Sequence, residues 1–231
     1  MSLLLLPLTA CVTLSTPVEQ HLAQARKYLS QGERALAAQE YGKVIAIRDN
    51  VAEDYARRGH ILAELNELPA AMADFQQALR LDPHHAGAAF DRGQLHLAQG
   101  RREAALADLD TAVRLQPDSA RFLGARCVAR VALEKSDNGL ADCDRALTFD
   151  KGVGNAHTSR GQANLLLSRN GDALADFEAA LRTNGNNMRA LYGRGLARQR
   201  LGDAGGGQAD LAQAQQRLPG AGREFSIAGN L

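Results

Sequence analysis

Two residue types recur at a spacing that could do chemistry. Arg58, Arg92, Arg126, Arg160 and Arg194 step by 34 residues, and so do Asp74, Asp108, Asp142, Asp176 and Asp210. Each aspartate follows its arginine by 16 residues. A guanidinium beside a carboxylate makes a strong forked ion pair. The two series therefore read either as a structural ladder or as a row of arginines that binds an anion, and the ladder is the reading favoured here. Cys127 and Cys143 share the 16-residue offset. They read either as a disulfide or as two buried thiols acting as small hydrophobes. Three cysteines at these spacings fit no zinc site. Of the six histidines, His84 and His85 follow Pro83 and suit a solvated turn, while His60 and His96 stand one unit apart without further ligands. Gly205-Gly206-Gly207 lacks the lysine and Ser/Thr of a phosphate loop. No nucleophile and base, no metal set and no cofactor motif emerge, so the expectation is a protein that is not an enzyme.

The elements that must position these residues follow from composition and period. The chain has 231 residues, 45% hydrophobic but only 4% aromatic, with no Trp. Its apolar content is mostly Ala and Leu, which favours packed helices over strands. Lys and Arg total 27 against 26 Asp and Glu, a net charge of +1. That balance argues against a nucleic-acid partner. Ala78, Ala112, Ala146, Ala180 and Ala214 keep the same 34-residue step. The register gives six units without a slip: 18–51, 52–85, 86–119, 120–153, 154–187 and 188–221. Residues 1–17 precede them and 222–231 follow as a short tail. A period in this range marks a solenoid, in which no unit buries its apolar face alone.

Each unit reads as two helices. In 86–119, Gly100 marks a turn near the middle, and Pro117 with Asp118 ends the second helix. The eighth position is small throughout: Ala25, Gly59, Gly93, Cys127, Gly161, Gly195. So is the twentieth: Ala37, Ala71, Ala105, Gly139, Ala173, Gly207. Glycine inside a helix costs about 1 kcal/mol relative to alanine, so its return implies close approach of two antiparallel helices. The twenty-fourth position supplies a larger filler: Tyr41, Phe75, Leu109, Cys143, Phe177, Leu211. In such a hairpin the seventh and twenty-third positions lie at similar height, so each Arg is expected to pair with an Asp of its own unit or of the neighbouring one.

The small eighth and twentieth positions, the plug and the Pro near the end resemble the tetratricopeptide repeat. The usual early Trp is replaced by Tyr55, Ala89, Leu123, His157 and Leu191. The resemblance implies an all-α fold, an α-solenoid wound as a right-handed superhelix of six helix-turn-helix units. It also implies a concave groove lined by first helices, whose inward positions include Arg26, His60, Phe90, Gln94, Val128, Thr158, Gln162 and Tyr192. Phe90 and Tyr192 are the candidate anchors for an extended peptide or a helix of a partner protein, the alternative being that both pack between units. Lys and Asn are missing from these positions, so capture of chaperone tails is not expected. No cofactor is implied.

The segment Leu8-Thr9-Ala10-Cys11 resembles the lipobox of bacterial lipoproteins, following the apolar run Leu3 to Leu6. That resemblance implies acylation of Cys11, a membrane anchor rather than a span, and a place in the bacterial cell envelope facing the periplasm. The run is short and lacks a preceding Lys or Arg. A cytoplasmic adaptor with an apolar N-terminus is the alternative. In general architecture the chain resembles accessory lipoproteins of secretion, pilus, outer-membrane and cell-wall assembly.

Overall fold

A computed structural model describes residues 15–134, 137–150, 152, 154–222 and 225. Among these the chain is all helical, and the helices come in pairs. They are α1 (Pro17–Ser30), α2 (Arg34–Ile47), α3 (Ala52–Glu64), α4 (Leu68–Leu81), α5 (Ala86–Ala98) and α6 (Arg102–Leu115). The second half holds α7 (Ala120–Glu134), α8 (Leu140–Phe149), α9 (Asn155–Leu166), α10 (Asn170–Thr183), α11 (Met188–Arg200) and α12 (Ala204–Arg217).

Local chemistry sets the ends. Thr16 opens α1 with a capping box: its hydroxyl accepts from the Glu19 amide and its own amide donates to the Glu19 carboxylate. Five of the six hairpins turn at the same position of the unit. Gly32, Asn66, Gly100, Ser168 and Gly202 all take positive φ there, between 59° and 94°. The fourth hairpin departs from this rule. Its fifteenth position is Glu134, still inside α7, and a 3-10 turn at Asp137–Gly139 leads into a shortened α8.

Packing then follows the small-residue code. A methyl group on Gly59 would come within 2.8 Å of the Phe75 ring, and one on Gly161 within 2.8 Å of Phe177. The eighth and twenty-fourth positions thus touch across each hairpin. In the fourth unit the same contact is covalent: Cys127 and Cys143 are joined by a disulfide, with Cα atoms 5.4 Å apart. The apolar core is a row of clusters, each shared between neighbouring units.

Second helices reach the next unit through its first helix, and consecutive first helices also touch, as α7 does α9. The first helices therefore lie on the inner side of the stack. At the joint between the fourth and fifth units Gly124 admits α9 closely: a methyl group there would meet the Ser159 hydroxyl at 2.6 Å. At the far end Phe225 packs against Phe177 and Tyr192 and joins the core cluster shared by the fifth and sixth units.

Candidate functional site

The Arg–Asp pairs all form within their own unit. In four units the guanidinium forks onto both carboxylate oxygens, at 2.7 and 2.7 Å for Arg58–Asp74, 2.8 and 2.6 Å for Arg92–Asp108, 2.7 and 2.7 Å for Arg126–Asp142, and 2.7 and 2.7 Å for Arg194–Asp210. Arg160 donates to Asp176 from Nε and Nη2 at 2.8–3.1 Å. The five aspartates are buried and their arginines half-buried. The carboxylate hydrogen bond raises each arginine above its ordinary pKa. The eleventh position supplements the ladder: Arg130, Asn164 and Arg198 donate to the same aspartates. In the first unit Glu40 takes the place of the aspartate and pairs with Lys43 and His21, which hold its carboxyl below the ordinary value. These arginines are engaged side to side with carboxylates, so they form a structural ladder rather than a bare anion-binding row.

The groove positions divide. Arg26 and His60 are exposed on α1 and α3, and Gln94 is half-buried on α5. Phe90 is a correction to the expected anchors. It is 3% exposed, stacks on Phe122 at 4.9 Å, and lies beneath the Arg121 guanidinium at 4.1 Å. Val128 is buried in the cluster around the disulfide. The Thr158 hydroxyl donates to the Gly154 carbonyl and accepts from Asn187, and Gln162 is buried with it on α9. The physical reason is shared. Consecutive first helices touch from α3 onward, most extensively α7 with α9, so several of their fifth and ninth positions become interior seams. Tyr192 is half-buried beside Phe225, 5.5 Å between ring centres. Gly124, at the fifth position of α7, is where α9 closes in. Cys11 lies outside the described residues.

Sequence reasoning missed the charges that cross from unit to unit on this inner side. Asp91 accepts from Arg121 at 3.1 Å and faces His60 Nδ1 at 3.0 Å, linking α3, α5 and α7. The Asp91 hydrogen bond raises His60 above its ordinary pKa. Arg34 donates to Glu64, and Glu53 meets both Arg57 and His85. The signal was present: opposite charges 30–32 residues apart, which is one helical turn short of the repeat. Among the described residues no group of three or more His, Cys, Asp or Glu could hold a metal. No described helix is long and apolar enough to cross a membrane.

Residues 56–120 and 90–153 match the family model described as tetratricopeptide repeat. Among solved structures the chain is similar to PilW, described as a widely conserved type IV pilus biogenesis factor. That match has 16% identity and TM-score 0.69, covering 93% of this chain and 99% of that one. It is similar to PilF of Pseudomonas aeruginosa at 16% identity and TM-score 0.62, covering 93% and 98%. YrrB, described as a TPR protein with an unusual peptide-binding site, matches at 21% identity and TM-score 0.52, covering 81% and 97%. At such identities the likeness is one of fold. No curated protein matches the chain. Residues 56–153 thus match the tetratricopeptide-repeat model, and the same helix pair continues on both sides of them.

Proposed function

We propose that this chain is a non-enzymatic scaffold that holds extended or helical segments of partner proteins along its concave side. The supporting observation is the row of first helices on the inner side of the stack, with exposed charged side chains crossing α3, α5 and α7. Such a face offers polar contacts at regular intervals to an extended polypeptide. The corrected anchor assignment moves the contact points from Phe90 to the exposed Arg26, His60 and Arg121. The lipobox-like segment at Cys11 supports an anchored place in the bacterial cell envelope. In that setting the scaffold would aid assembly of a secretion, pilus, outer-membrane or cell-wall complex.

A photo-crosslinking residue at Arg26 or Arg121, compared with one at the exposed Glu103 on α6, tests the groove. Partner crosslinks, identified by mass spectrometry from native membranes, are expected from the first-helix positions. Equal yield from Glu103 would remove the assignment. Fractionation of Cys11→Ser tests the anchor separately, and an unchanged membrane fraction would leave the adaptor without its lipid.

A further inference from the structure

The arginine ladder has a gap on the outer side. Arg126 uses Nε and Nη2 on Asp142 and turns Nη1 to Asp110 of the preceding unit, at 3.0 Å. Arg160 does the same, with Asp176 in its own unit and Asp144 behind it at 3.0 Å. In both cases a carboxylate 16 residues earlier completes the guanidinium. For Arg92 the residue at that offset is Gln76, and among the described residues Arg92 pairs with Asp108 alone. Arg58 has Gly42 at that offset and sits over the Tyr55 ring instead.

Where the missing acid would sit there is a cleft of about 260 Å³ between the second and third units, lined by Gln76, Arg80, Arg92, Asp108 and others. Arg80 is exposed there, with no ion pair among the described residues. One water occupies about 30 Å³ in the liquid, so the space accommodates a carboxylate side chain. We propose that this cleft binds the side-chain carboxylate of an acidic partner polypeptide, an Asp or Glu entering where Asp110 and Asp144 sit at the next two joints. The internal precedent also favours a monoanion. Asp110 and Asp142 share Arg126, so one carboxylate is tolerated beside another there, whereas a dianionic phosphate would meet Asp108 with twice the repulsion. The site faces away from the concave side and is independent of the groove.

The test uses the full chain and an N-acetylated, C-amidated pentaglutamate peptide, with pentaglutamine as control. Calorimetry is expected to show saturable pentaglutamate binding about ten-fold tighter than pentaglutamine. Gln76→Asp places the missing acid in the chain and is expected to weaken that binding about ten-fold without lowering the thermal midpoint. Arg80→Gln, an exposed change that leaves the ladder intact, is expected to weaken it several-fold. If Gln76→Asp proves less stable than the parent, Arg80→Gln decides. Equal affinity for the two peptides, or affinity unmoved by both variants, overturns the proposal. Saturation by inorganic phosphate but not by pentaglutamate overturns it as well.

Discussion

Gly193 of α11 lies flat against the ring of Phe177 in α10, at a point where an added methyl group would overlap the ring. Phe177 is fully buried, and Gly161 presses on it from within its own unit. The ring therefore joins two units as well as two helices. Gly193→Ala is expected to cost about 1–3 kcal/mol by overpacking. Gly205→Ala on α12, where nothing lies within 4 Å, is expected to gain a few tenths to about 1 kcal/mol. Chemical denaturation of the two variants reads opposite signs.

Buried and exposed ion pairs should separate by size. Asp142 is 3% exposed and accepts from Arg126 twice and from Arg130 once. Asp142→Ala leaves Arg126 and Arg130 with only the half-exposed Asp110, at an expected cost of about 3 kcal/mol. Glu64→Ala removes the exposed partner of Arg34 and is expected to cost below about 1 kcal/mol. Equilibrium unfolding of both variants makes the comparison.

The disulfide closes a loop with a sequence separation of 16 in the unit whose hairpin turn is irregular. For a loop of that length the constraint on the unfolded chain is worth about 3 kcal/mol. A reductant is expected to lower the unfolding midpoint of the parent and leave the double variant Cys127→Ala, Cys143→Ala unmoved. Thiol labelling of the unfolded chain is expected to modify Cys127 and Cys143 only after reduction.

Two histidines should give stability opposite dependences on pH. His60 is raised chiefly by its bond to Asp91, with Glu64 and Arg121 also facing it. Its contribution is complete below the unfolded value of about 6.5 and is lost as pH rises through the higher folded value. His96 is lowered by burial, despite Asp108 at 3.9 Å. Its neutral form suits the fold, so stability falls as pH drops below about 6.5. Thermal midpoints from pH 5 to 8 are expected to show His60→Gln flattening the loss at high pH and His96→Gln the loss at low pH.

The 34-residue step of Arg, Asp and Ala, with small residues at the eighth and twentieth positions, was enough to read helix pairs stacked in a solenoid. Those are local signals, since a turn residue, a helix stop and a small residue opposite a plug each act within one unit. The ladder from Arg58–Asp74 to Arg194–Asp210 was legible for the same reason, because both partners share one hairpin. Phe90, Val128, Thr158 and Gln162 were misplaced because their burial depends on how closely the next unit approaches. That distance is set by contacts such as Gly124 with Ser159, which no single unit contains. The Asp91 bridge between His60 and Arg121 likewise exists only once three first helices lie side by side. The sequence by itself determined the hairpin and its repeat, because their causes lie within one unit. The tertiary structure decided which side chains remain open to a partner, because exposure belongs to the joint between units.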